Sequence, residues 1–175
     1  MTLASIITAI SLLAFIGFLL WAAAADLHRY TIPNRISVGV LAAYILYAGI
    51  AAIFPSLYPS INWFGGLITG AAVLIGGAVL FAWGLFGGGD VKLLASTAVW
   101  AGPALVFELV VVTALAGGIL ALGVLLARAF GKPACAGPGE AGAAPTLPYG
   151  VAIAAGGIYV AGQLIERWLA TAPTV

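Results

Sequence analysis

Two aspartates are the residues of this 175-residue chain whose types and positions could perform chemistry. Asp26 follows the first long apolar run, and Asp90 follows three glycines, residues 87–89, between two further apolar runs. An acid at membrane depth is expensive to place, so its default interpretation is functional. If two carboxyl groups meet, an ionised one can activate a water while a protonated one donates a proton. We therefore predict that Asp26 and Asp90 form one catalytic pair.

Each of these features also has a purely structural interpretation. Asp90 could be the N-cap of the following helix, a position that favours Asp, and Asp26 could be an interfacial charge. The glycine run could be an ordinary turn, although three residues without side chains would also let a substrate strand approach the acid. His28 and Lys92 are typical of a basic membrane interface, and Lys92 could alternatively bind substrate.

Composition defines the class of protein. The chain is 64% hydrophobic and 6% charged, whereas a soluble domain is roughly half apolar and a quarter charged. The bilayer must therefore be its solvent, which makes membrane lipids its first partners. A net charge of +1 gives no reason to expect nucleic acid as a partner. A single Cys supplies neither a disulfide framework nor a cysteine-rich zinc site, and we expect no metal and no other cofactor.

The apolar runs predict an all-α, polytopic membrane protein of six transmembrane helices with a short fourth helix, in one integral-membrane domain over residues 1–175. The predicted spans are residues 3–25, 36–54, 64–86, 91–101, 104–127 and 148–170. As one helix, residues 91–127 would be roughly 55 Å long, beyond a hydrocarbon core of about 30 Å, so we predict a break at Gly102-Pro103. Asn34 is the predicted N-cap of the second helix. The Gly/Pro-rich segment 128–147 is predicted to be a flexible cytoplasmic loop.

The basic residues predict which side of the membrane holds the two acids. With six spans, the loops after the first, third and fifth spans share one side. Those loops and their edges carry five of the six Lys and Arg residues, namely Arg29, Arg35, Lys92, Arg128 and Lys132. Because cytoplasmic loops are enriched in Lys and Arg, this side is predicted to be cytoplasmic, and both aspartates lie on it.

Four short segments carry a resemblance to a known family. Residues 87–90, Gly-Gly-Gly-Asp, match the GxGD motif of the GxGD membrane aspartyl proteases. Asp26 followed by Ile-Pro-Asn at 32–34 resembles the first-aspartate region of the type IV prepilin peptidases. Residues 90–93, Asp-Val-Lys-Leu, resemble the extension of their second motif, and Pro-Tyr-Gly at 148–150 resembles the start of their last helix. The order and spacing of these segments agree with that family over nearly the whole chain.

The resemblance implies an activity and a set of site residues. Asp26 and Asp90 would be the catalytic pair of an aspartic endopeptidase that needs no metal. The enzyme would cut the leader peptide from prepilins at the cytoplasmic face of the bacterial inner membrane, with the apolar helix of the prepilin docked among its spans. The residues that would bind substrate or support the site are Gly87, Gly89, Lys92, Pro33, Asn34, Pro148, Tyr149 and Gly150.

One departure from the larger members of the family concerns a second activity. Many of those members also methylate the new amino terminus, and they carry an insertion with paired CxxC motifs. Here the segment 26–35 is too short for that insertion and Cys135 stands alone, so methyltransferase activity is not expected. The compact form is similar to the small prepilin peptidases of Tad/Flp pilus systems. Two alternatives stay open, a small proton- or cation-coupled transporter that uses both acids and an assembly factor in which they are inert.

Overall fold

The computed structural model describes residues 3–54, 62–130 and 147–171. Over these ranges the chain forms five helices and no strand, which confirms the all-α prediction. The helices are α1 (Leu3–Arg29), α2 (Asn34–Ile53), α3 (Trp63–Ala82), α4 (Gly88–Ala129) and α5 (Tyr149–Thr171). All five are long and apolar enough to cross a membrane, so the chain is a multi-pass membrane protein. Most of the predicted loop 128–147, including Lys132 and Cys135, lies outside the described residues.

The predicted count of six spans with a short fourth does not match these five helices. α4, residues 88–129, consists of two helical segments that meet at a kink at Gly102, and the count of five helices takes both segments together. The break itself is confirmed, because Gly102 has φ 58° and ψ −172°, a conformation open essentially only to glycine. Pro103 then starts a new helical segment, where its missing N–H removes no helical hydrogen bond. We call residues 88–101 the first arm of α4 and residues 103–129 its second arm.

The first arm of α4 packs antiparallel to α3. Val91, near the start of the arm, lies against Gly77, and Val99, near its end, lies against Gly66. A Cβ on Gly66 would come within 2.6 Å of the Val99 carbonyl oxygen, so the two helices are in close backbone contact there. Small residues at such a crossing allow the van der Waals packing that holds helices together in lipid.

The second arm runs in the opposite direction, antiparallel to α5. Leu109, early in the arm, lies against Gly156, while Gly117, a further two turns along, faces Tyr149. Since α5 begins where the first arm begins, the chain reverses at Gly102 and forms a helical hairpin. One end of the bundle therefore gathers the end of α1, the end of α3 and the starts of α4 and α5.

An aromatic cluster anchors this hairpin to α1 and α2. Phe15 stacks on Trp100 with ring centroids 4.3 Å apart and 4° between the ring planes. The indole N–H of Trp100 donates a 3.0 Å hydrogen bond to the carbonyl of Val40. Tyr44 and Tyr47 complete the cluster, with centroids 5.6 and 5.2 Å from that of Trp100. Because the cluster is buried and its indole donor is satisfied, it fixes the closed end of the hairpin within the bundle.

The connection between α1 and α2 differs from its predicted form. α1 continues to Arg29, so Asp26 lies in its last turn and not in a loop. α2 begins at Asn34, and Pro33 takes the N-cap position without a capping side chain. The prediction that Asn34 caps α2 is therefore wrong. Its side-chain oxygen instead accepts a hydrogen bond from Lys92, a contact between distant segments that no local pattern reveals.

Candidate active site

The end of the bundle at which α1 and α3 end and α4 and α5 begin encloses a cavity of about 650 Å³. Both aspartates line this cavity. The last turn of α1 contributes Asp26, and the α1–α2 connection contributes residues 30–32. The α3–α4 connection with the first turn of α4 contributes residues 84–90. Leu147 and Tyr149 close the cavity from the start of α5. Asp26 and Asp90, separated by 64 positions in the chain, therefore share one space and interact electrostatically.

Asp26 is held by the first turn of α5. Its Oδ2 accepts a 2.6 Å hydrogen bond from the backbone N–H of Gly150, and the carboxyl group is buried. The first N–H groups of a helix lack partners within the helix, and they carry the positive end of its dipole. The sequence places Asp26 at the unfavourable C-terminal end of α1, but the fold supplies the favourable N-terminal end of α5.

Gly150 is the residue that makes this contact possible. A Cβ at position 150 would come within 2.9 Å of Asp26 Oδ2 and 2.9 Å of Ile32 Cδ1. A side chain there would push α5 away from the carboxyl group. Pro148 precedes this turn, and its carbonyl accepts a 3.2 Å hydrogen bond from the N–H of Val151. Within the segment Pro148-Tyr149-Gly150, Tyr149 lines the cavity and the N–H of Gly150 binds Asp26.

Asp90 is held by the start of its own helix. It lies in the first turn of α4 and accepts a hydrogen bond from the backbone N–H of Gly87. The side chain therefore reaches back to the residue before the helix, as a Glu or Gln does in a capping box. A Cβ on Gly87 would lie within 2.6 Å of Asp90 Oδ2, which explains the need for glycine at this position.

The other two glycines of the run have different surroundings. A Cβ on Gly89 would lie 3.3 Å from Ile32 Cβ and 3.4 Å from the Ile32 carbonyl oxygen, so this glycine lets α4 approach the α1–α2 connection. A Cβ on Gly88 would lie 3.3 Å from the exposed ring of Phe81, which can move aside. The first glycine thus faces the Asp90 carboxyl group, the third faces Ile32 and its backbone, and the middle one faces only an exposed ring.

Aromatic rings cover one side of the cavity. Phe86, from the α3–α4 connection, packs on Tyr149 with centroids 5.5 Å apart. The connection reaches this position because α3 ends at Ala82, four residues before its predicted end, and Gly84 turns with φ 73°. Eight cavity residues were not predicted as site residues, and their one signal is adjacency to Asp26, to the predicted glycines or to Tyr149: Tyr30, Thr31, Ile32, Gly84, Leu85, Phe86, Gly88 and Leu147.

Five predicted site residues do not line the cavity, namely Pro148 and Gly150 beside Tyr149, and Pro33, Asn34 and Lys92 on the other side. Lys92 donates a 3.0 Å hydrogen bond from Nζ to Asn34 Oδ1, and both residues line a separate groove. Pro33 ends the α1–α2 connection at the N-cap of α2. Along the α1–α2 connection, Ile32 packs on Gly89 and lies between Asp26 and the pair Pro33 and Asn34. They therefore flank the cavity without entering it.

Two carboxyl groups in a partly enclosed space can hold a water between them and exchange its protons. Low local polarity strengthens such interactions, and the two acids titrate as a pair when they lie close together. Among the described residues, no group of three or more His, Cys, Asp and Glu side chains is arranged to bind a metal ion. Two carboxyl groups in this arrangement can supply general acid–base chemistry to a substrate that reaches the end of the bundle.

These features define a multi-pass helical membrane protein with a two-acid cavity at one end of its bundle. The model of the type IV leader peptidase family matches residues 13–122, so the chain belongs to that family and its resemblance to the prepilin peptidases is confirmed. The matched range contains Asp26, Asp90 and the glycine run, and it ends within the second arm of α4. No curated protein and no solved structure matches the chain significantly.

Proposed function

We propose that this protein is an aspartic endopeptidase that removes the leader peptide of type IV prepilins of the Flp/Tad kind. One observation carries the proposal: Asp26 and Asp90 line the same cavity. Each is also held by a backbone N–H at the start of a helix, Asp26 by Gly150 and Asp90 by Gly87. Family membership independently indicates a peptidase that acts on leader sequences.

The proposed reaction is direct hydrolysis by a water held between the two acids. The ionised carboxylate takes a proton from this water as its oxygen attacks the scissile carbonyl carbon. The protonated carboxyl group donates its proton to the carbonyl oxygen and, as the C–N bond breaks, a proton passes to the leaving amine. No covalent enzyme intermediate forms, and each turnover returns one proton to the pair. Asp26 and Asp90 share these roles as a coupled pair.

The proposed location of the reaction is the cytoplasmic face of the bacterial inner membrane. Arg29 and Arg35 flank the α1–α2 connection, and Lys92 lies one turn into α4, so basic residues surround the cavity end of the bundle. The bias of Lys and Arg towards cytoplasmic ends supports this orientation. The connection between α1 and α2, residues 30–33, is too short to hold an inserted domain. We accordingly propose that the product keeps an unmethylated amino terminus.

The experiment is a cleavage assay with the purified protein in phospholipid vesicles. The substrate is a full-length prepilin, and the same pilin without its leader is the matched control. Mass spectrometry of the products should show a single cut at the leader junction and no change in the control. An uncut prepilin, together with proton uptake by the vesicles, would instead support the transporter alternative.

A further inference from the structure

A second recess lies on the membrane-facing side of the bundle, apart from the two acids. α2 packs on α1 and α4, and α3 packs on α4, which leaves a groove of about 450 Å³ between α2 and α3. Its floor is the first arm of α4, where Ala95, Ser96 and Val99 are buried. Further apolar and small residues form its walls, namely Val38, Leu41, Gly70, Ala71 and Leu74.

The two ends of this groove differ. At the far end, the Tyr44 hydroxyl donates a 2.9 Å hydrogen bond to the Trp63 carbonyl and joins the two walls. At the cavity end, the mouth carries Lys92 and Asn34, whose side chains hydrogen-bond to each other. The N-terminal end of α2 lies at the same mouth and adds the positive end of its dipole. The groove is therefore apolar and closed at one end, with a cation at the other.

The charge at the mouth has no anionic partner within the groove. Lys92 is the one charged residue among the described residues that line it. The bond to the neutral Asn34 amide uses one of the three ammonium donors, and the side chain is exposed. An occupant should accordingly combine an apolar body with an anionic group at the level of Lys92.

We propose that this groove binds one anionic phospholipid, with an acyl chain between α2 and α3 and the phosphate on Lys92. From Lys92 to Val99 the floor is about 10 Å long, and this length falls within one leaflet of a bilayer whose core is about 30 Å. An acyl chain matches the apolar walls of the groove, and a lipid phosphate supplies the missing anion.

The test uses the purified protein in mixed vesicles of phosphatidylcholine and phosphatidylglycerol in equal amounts. Native mass spectrometry after extraction should show one retained phospholipid per chain, with phosphatidylglycerol preferred. Lys92→Gln should lower that preference about fivefold, because one lysine near the membrane surface contributes about 1 kcal/mol to the binding of an anionic lipid. Arg29→Gln is the control, since Arg29 lies at the same end but outside the groove, and it should leave the preference unchanged.

A second pair of variants tests the site of the acyl chain. Ala71→Phe places a ring in the groove and should abolish the retained lipid, while Ala72→Phe, on the neighbouring exposed position, should leave it in place. Equal lipid retention by these two variants would overturn the proposal. So would a photoreactive residue at Leu74 that crosslinks to an added prepilin helix and not to phosphatidylglycerol.

Discussion

At the scale of single residues, the site depends on glycines that make room for carboxyl groups. Gly150 lies against Asp26, and Gly87 lies against Asp90. The sequence could identify both acids and the glycine run, because an acid beside Gly-Gly-Gly at the edge of an apolar run is a local pattern. It could not show that Gly150 binds Asp26, since 124 positions separate the bonded residues and only the packing of α5 joins them. For the same reason, the sequence predicts Asn34 as the N-cap of α2, whereas its side chain accepts a hydrogen bond from Lys92, 58 positions away.

Gly150→Ala should lower the rate of prepilin cleavage about tenfold or more. The new Cβ would sit 2.9 Å from Asp26 Oδ2, so the carboxyl group must move, and small misplacements of catalytic groups have large effects on rate. Gly162→Ala is the matched control in the same helix, because a Cβ there meets no atom within 4 Å. Both variants are compared by initial cleavage rate at equal protein in the membrane. Equal rates would show that the Gly150 contact does not position Asp26.

A second pair of variants tests whether Gly87 and Gly88 contribute differently to the cleavage rate. Gly87→Ala should also lower cleavage about tenfold, because its Cβ would lie within 2.6 Å of Asp90 Oδ2. Gly88→Ala should retain most of the wild-type rate, since its Cβ meets only the exposed ring of Phe81. The assay is the same, with circular dichroism to verify that both variants keep their helix content. Greater loss in Gly88→Ala would contradict this account of the motif.

At the scale of helices, the hairpin of α4 brings the site together. The first arm carries Asp90, and the second arm returns to pack on α5, which in turn holds Asp26. The break at Gly102-Pro103 was predictable because it depends on local chemistry and on the thickness of a bilayer. The count of six spans is not matched exactly, and the sequence could not show that the two segments of α4 form a hairpin, because their packing on α3 and on α5 joins distant parts of the chain.

Gly102→Ala should destabilise the protein by about 1–3 kcal/mol, because alanine is strained at φ 58° and ψ −172°. Gly118→Ala, in the second arm with open space around it, should be neutral or stabilising by up to about 1 kcal/mol. Unfolding in a fixed detergent mixture, followed by tryptophan fluorescence, measures the difference. If Gly102→Ala unfolds no earlier than Gly118→Ala, the hairpin does not require a glycine at its turn.

At the scale of the whole molecule, the described polar residues concentrate at one end of an apolar bundle. That end holds Asp26, Asp90, Arg29, Arg35 and Lys92, while many large apolar side chains elsewhere are exposed to lipid. The composition predicted the membrane, the apolar runs predicted the all-helical fold, and the alternation of spans predicted that both acids lie on one side. The shape of the cavity could not be predicted, because its walls come from four separate segments.

The proposed orientation can be measured with single cysteines in a Cys135→Ser background. His28→Cys, at the cavity end, should react with a membrane-impermeant maleimide only after the cells are permeabilised. Phe54→Cys, at the opposite end of α2, should react in spheroplasts that are still sealed. The reverse pattern would place the cavity outside the cytoplasm and would exclude cleavage on the proposed face.

The central claim is that Asp26 and Asp90 act together on one peptide bond, and isosteric variants test it most directly. Prepilin cleavage is measured by mass spectrometry for Asp26→Asn, for Asp90→Asn and for the double variant, each verified to be inserted in the membrane. We expect each single variant to fall to the background rate and the double variant to fall no further, since residues that act as a unit are non-additive. Cleavage near the wild-type rate by either single variant would remove that aspartate from the pair and contradict the mechanism.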